Sequence, residues 1–184
     1  MYEAAPSGRT LVLGLGNSMR GDDGVGEALV EGLRSTGLVP PWVRLCSAYD
    51  GDVLEPILAE TWHRIVVIDA ADLGQAPGTW MQLGANALPI LPAHSNSHRV
   101  GLIDALGIGQ ALGKAPERLA IFAVQPESVE WGPGLTDTLA EALGGLIETV
   151  LREVGAGPRP GGRTICTMPK EQATHVREEQ LALG

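Results

Sequence analysis

The run "RIVVIDA" (residues 64–70) sets four β-branched apolar residues in a row between an arginine and an aspartate. A strand with one wet face alternates apolar and polar side chains. An unbroken run suits a parallel sheet covered by helices on both faces. Four more segments read as strands: "TLVLGL" (10–15), "WVRLCSA" (42–48), "TWMQLGA" (79–85, nearer an edge) and "RLAIFAV" (118–124). Helical patterns lie between them. Residues 24–34 put Val25, Leu29, Val30 and Leu33 on one face. "DVLEPILAE" (52–60) is helical if Pro56 sits in its first turn. "HRVGLIDALGIGQALG" (98–113) carries Val100, Ile103, Ala105 and Leu106 at helical spacing. The last helix spans residues 135–154, with Thr138 and Glu141 as a capping-box pair and Thr136 as the alternative cap. Alternating strands and helices predict an α/β three-layer sandwich: a largely parallel, twisted sheet of about five strands with helices on both faces.

At 184 residues the chain fits one domain, expected over 1–155. "GAGPRPGG" then breaks regular structure, and residues 156–184 form a tail given no role. Hydrophobic residues make up 44%, enough for a substantial core, yet no run of ~18 apolar residues predicts a membrane span. A net charge of −9 argues against nucleic-acid partners, which need basic patches. The first ten residues lack the basic and apolar regions of a signal peptide. Two cysteines, Cys46 and Cys166, make no disulfide framework, so a reducing cytoplasm is the expected compartment. Nothing in the sequence fixes an oligomeric state.

In a sheet of this kind ligands bind beyond the carboxyl ends of the strands. The first strand ends there in "GLGNSMRGDDGVG" (14–26). A dinucleotide fingerprint needs G-x-G-x-x-G, but Met19 stands where the third glycine belongs, and two carboxylates would repel a pyrophosphate. No G-K-[ST] follows, so a phosphate-binding Walker loop is excluded. Asp22 is suited to cap the helix starting near Gly24. One cap uses one carboxylate, which leaves Asp23 as a candidate cation ligand.

A second carboxylate, Asp69, ends the apolar third strand at the same crevice, where a buried run tolerates an acid only with a partner. A turn or cap role is the plainer alternative for it, and Asp72 reads as a solvated turn residue. Of four histidines, His63 precedes a strand at the wrong end of the sheet and His175 lies in the tail. His94 and His98 lie on the right side; with Ser97 as cap, His98 falls in the first turn of a helix, whose dipole keeps the imidazole neutral. Two carboxylates and an imidazole suit a borderline divalent ion such as nickel, zinc or cadmium, with positions left open for a substrate. Other hydrolase machinery is missing: there is no H-E-x-x-H helix and no G-x-S-x-G elbow. Cys46 has no evident histidine partner and reads as core.

Taken together and in order, "GLGNSMRGDDGVG", "VVIDAADLGQAPGT", "SHRVGLIDAL" and "VQPESVEWGPGLT" resemble the hydrogenase maturation endopeptidases over roughly residues 10–153. The resemblance implies an aspartic-type, cytoplasmic endopeptidase that trims the C-terminus of a [NiFe]-hydrogenase large-subunit precursor. It implies a trio of metal-contacting and catalytic residues: Asp23 (an aspartate where the family also has glutamate), Asp69 and His98, the last favoured over His94. It further implies that nickel arrives bound to the precursor's cysteines and is checked by that trio. A non-catalytic metal or cofactor chaperone of the same fold is the alternative, and a nucleotide-binding module the third reading. The region "LCSAYDGD" matches only loosely and leaves open which hydrogenase is served.

Overall fold

A computed structural model describes residues 8–49, 52–85 and 96–155, with residues 96–100 described at the level of the backbone. Five strands form one sheet: β1 (Thr10–Leu15), β2 (Val43–Ala48), β3 (Arg64–Ala70), β4 (Trp80–Gly84) and β5 (Arg118–Val124). Their order is β2-β1-β3-β5-β4. The first four in that order are mutually parallel; β4 pairs antiparallel with β5 and closes one edge. Among the described residues four helices join the strands: α1 (Val25–Thr36), α2 (Leu54–Leu58), α3 (Asn96–Ala111) and α4 (Asp137–Glu153). The three-layer α/β sandwich expected from the sequence is what forms.

Side-chain parity along the strands explains the layering. Leu11, Leu13, Ile65, Val67, Ile121 and Ala123 point to one face and pack with Val53 and Ile57 beside α2 and Leu102 and Ala105 of α3. Val12, Val66, Ile68 and Phe122 point to the other and meet Leu29 and Leu33 of α1 and Leu139, Leu146 and Val150 of α4. Trp62 is buried on the first face, its indole N–H donating to the carbonyls of Pro56 and Ile57. The central strands are thus coated on both sides, which is why "IVVI" is apolar throughout.

Several local expectations change. Asp22 does not cap α1: a 3-10 turn, Gly21–Gly24, intervenes, and the N-cap is Gly24 without a side-chain bond. Thr138 lies inside α4, and Thr136 is the cap, accepting from Leu139 N at 3.4 Å. Ser97 lies within α3 rather than capping it. Ile103 faces outward, because the inward stripe of α3 is Leu102, Ala105 and Leu106. Pro56 does sit in the first turn of α2. Residues 86–95 with His94, residues 156–184 with His175 and Cys166, and the side chains of residues 96–100 lie outside the described residues.

Candidate active site

The sheet order creates a topological switch point. From β1 the chain crosses over one face to β2, and β3 then returns to the other side of β1. The connections that leave the carboxyl ends of β1 and β3 therefore run to opposite sides, and the place where they part is the usual ligand position in such sheets. The loop after β1 carries Asp23, and β3 carries Asp69 as its penultimate residue.

The glycines of the β1–α1 loop serve close approach rather than phosphate. A Cβ on Gly14 would stand 2.1 Å from Gly26 O, and one on Gly26 would stand 2.3 Å from Leu15 O. Helix α1 thus presses its first turn directly onto the end of β1. Gly16 adopts φ 121°, and a Cβ there would lie 1.7 Å from Asp23 O. That contact folds the loop back so that the 3-10 turn packs against the end of β3. Asp23 is consequently buried at 2% exposure. Its Oδ2 accepts one hydrogen bond, from Asn17 N at 2.9 Å, so Asn17 contributes its backbone to the site.

Asp69 shares the parity of Ile65 and Val67 and points to the α2–α3 face. Half-buried as a residue, it turns its carboxylate inward: Oδ1 is shut off from solvent and has no hydrogen-bond partner among the described residues. Burial pushes the carboxyl from its ordinary 3.8 up to about 8, the charge of Asp23 pushes the same way, and the Ala70 N–H bond pulls it back. Two acids from separate segments are thus close enough to feel each other's charge in a poorly solvated crevice.

Residue 98 lies in the first turn of α3, on the face to which Asp69 points. Helix α3 leads toward the start of β5, and beyond its C-terminal end Lys114 Nζ bonds Leu58 O at 2.6 Å. At 1.5 Å rise per residue its first turn stands roughly 20 Å away, toward the carboxyl edge of the sheet. His63 sits at the opposite edge, 3.0 Å from Glu117, as expected for the wrong end. Among the described residues no group of three metal-binding side chains assembles; the two acids are the part of the trio described.

The sequence missed two organising groups. Asp22, fully buried, accepts bonds from Glu127 N (2.8 Å), Ser128 N (3.1 Å), Thr136 N (2.7 Å) and Thr136 Oγ1 (3.0 Å). It pins the β5–α4 loop to the turn carrying Asp23. Gln125 Oε1 accepts from Leu73 N at 2.6 Å and Gln75 N at 3.3 Å, which fixes the loop after β3. Both belong to motifs noted in the sequence. The only sequence signal was an acid or amide beside backbone-rich Gly–Pro loops with N–H groups to satisfy.

This architecture defines an α/β protein with an acidic crevice at its switch point, and comparison with known proteins identifies its kin. A family model described as hydrogenase maturation protease matches residues 50–153. The hydrogenase 2 maturation protease of Escherichia coli (strain K12) is 34% identical over 165 residues, covering 89% of this chain and 97% of that protein. The hydrogenase expression/formation protein HupD of Rhodobacter capsulatus is 33% identical, covering 80% and 72% respectively. The solved structure of the E. coli hydrogenase maturating endopeptidase HybD superposes with a TM-score of 0.70 at 31% identity, covering 80% of this chain and 94% of that one. A [NiFe] hydrogenase maturation protease HybD from Thermococcus kodakarensis shares the fold, with a TM-score of 0.66 at 22% identity and coverage of 79% and 99%. The chain belongs to the hydrogenase maturation protease family and is a peptidase. Among the described residues no helix is long and apolar enough to cross a membrane.

Proposed function

We propose that this peptidase removes the C-terminal extension of a nickel-loaded [NiFe]-hydrogenase large-subunit precursor, and that Asp23, Asp69 and His98 contact the metal the precursor carries. The observation that supports this reading is Asp69 Oδ1, buried and without a partner among the described residues, in a carboxyl group whose ionisation the charge of Asp23 also opposes. Such an arrangement is costly in the free protein and is relieved by a cation. The donor set fits a metal delivered by the substrate: two hard carboxylates and an imidazole, with no thiolate, leave the soft positions to precursor cysteines.

Docking then depends on the cargo. A loaded precursor gains the contacts of the trio, whereas an empty one meets two carboxyl groups and no counter-charge. Asp69 releases its proton as the ion arrives, and Asn17 N–H holds Asp23 in place. The ion supplies Lewis-acid polarisation near the scissile carbonyl. A buried carboxyl held in its protonated form by desolvation, with a second acid's charge pushing the same way, also has the electrostatics of an aspartic-type site. Cys46, free among the described residues, fits a reducing cytoplasm.

Mass spectrometry of a nickel-loaded precursor incubated with the protein tests this. The wild type shortens the precursor and Asp23→Ala leaves it intact. Shortening by Asp23→Ala at the wild-type rate would overturn the assignment, and no shortening by the wild type would favour a metal chaperone.

A further inference from the structure

Beside the acidic crevice the protein exposes large side chains on a firmly held scaffold. Trp131 is 77% exposed and Met19 54% exposed. The segments that carry them are zipped together: Gly132 N donates to Met19 O and Gly21 N to Gly132 O, both at 2.9 Å, and Gly134 N to Ser18 O at 3.4 Å. Arg20 pairs with Gly132 in a parallel bridge, and its guanidinium lies 5.9 Å from the Trp131 ring centroid. Arg20 Nε is buried without a hydrogen-bond partner among the described residues. Beneath this ribbon, the Asp22 carboxylate locks both segments by accepting from four donors. The patch also joins the crevice directly, because Asp23 N donates to Arg20 O at 3.2 Å.

Tryptophan, arginine and methionine are the residues over-represented at protein interfaces, and rigid presentation lowers the entropy lost on association. We infer that Met19, Arg20 and Trp131 form a docking surface for the precursor polypeptide beside its metal, binding it whether or not the metal is present. Three features select this occupant. The surface is continuous with the proposed metal contacts. It presents a cation, Arg20, in a chain of net charge −9. It carries an aromatic anchor of the kind that dominates binding energy. The inference rests on the function proposed above but concerns a different part of the affinity. The trio supplies the preference for loaded over empty precursor, and the patch supplies what both forms share.

The test measures binding of the full chain to the nickel-loaded and the nickel-free large-subunit precursor of the same organism by biolayer interferometry, with thermal melting of each variant. Trp131→Ala weakens binding of both forms by the same factor, roughly tenfold or more, with an unchanged melting temperature. Trp131→Phe recovers most of that loss. Leu112→Ser, an exposed apolar control outside the patch at 61% exposure, changes neither affinity. Asp23→Ala removes only the preference for the loaded form. Wild-type affinity of Trp131→Ala for the nickel-free precursor would overturn the docking surface and leave the metal reading standing. A wild type without preference for loaded precursor, yet weakened by Trp131→Ala, would sink the metal reading and keep the surface. If Trp131→Ala instead converts a dimer to a monomer in sedimentation while precursor binding is unchanged, the patch serves self-association and the inference falls.

Discussion

Replacing Asp69 by asparagine removes the group whose charge the crevice resists most. The carboxyl is held at about 8 in the folded protein against 3.8 ordinarily. For an acid raised on folding, the folded state keeps its proton where the unfolded chain has lost it. The penalty is absent below about pH 4, grows as pH rises, and levels off above about pH 8. Within that window each pH unit costs about 1.4 kcal/mol, so from about pH 5.5 to about pH 8.5 the wild type loses roughly 3 kcal/mol through this group. The amide of the Asp69→Asn variant has no proton to lose. The stability of that variant relative to wild type should therefore grow by the same amount across the interval, or roughly 6–12 °C in Tm for a chain of this size. The assay is guanidinium unfolding of both proteins with a chelator present at the two pH values, and the difference between them cancels the titrating groups that do not interact with Asp69. Parallel pH profiles would show that Asp69 is solvated and ordinary, and the supporting electrostatics of the site would be lost.

Three further outcomes follow from named contacts. Asp22→Ala strands the N–H groups of Glu127, Ser128 and Thr136 and should cost roughly 3 kcal/mol or more, read as a lower Tm and faster proteolysis in the 127–136 loop. Gly16→Ala forces a Cβ against the Asp23 carbonyl at an unfavourable positive φ. It should lower stability by at least about 2 kcal/mol and abolish precursor shortening together, because the same movement displaces Asp23. Cadmium affinity measured by calorimetry should rise roughly tenfold per pH unit from about pH 6 to about pH 8, as the ion displaces the Asp69 proton, and the proton release should vanish in Asp69→Asn.

How far the sequence alone reached can be traced through these residues. The "IVVI" run needed a helix layer on each face, and that requirement produced the sandwich before any contact was known. Asp23 and Asp69 are legible in the sequence because strand ends at a parallel sheet's carboxyl edge face a crevice, and the structure brings those two within electrostatic reach of each other. The role of Asp22 is not legible locally, because local propensity favours a cap wherever an acid precedes a helix. The inserted 3-10 turn and the unsatisfied N–H groups of a loop more than a hundred residues away decided its role instead. That partner is a tertiary fact no local pattern contains. The outward turn of Ile103 has a smaller cause: several apolar residues on α3 satisfy helical spacing, and only packing in the cluster with Ile57 and Leu58 selects the stripe containing Leu102 and Ala105. The glycines were legible as a tight loop, but their purpose, letting α1 touch β1, required the neighbouring backbone.

The proposed function requires one ion to bind among three side chains. Anomalous diffraction from crystals soaked with cadmium or nickel measures this directly. A single peak at coordination distance, ~2.0–2.6 Å, from carboxylate oxygens of Asp23 and Asp69 and a ring nitrogen of His98 is the expected result. A peak bound elsewhere, or an imidazole of His98 turned away from the two acids, would contradict it.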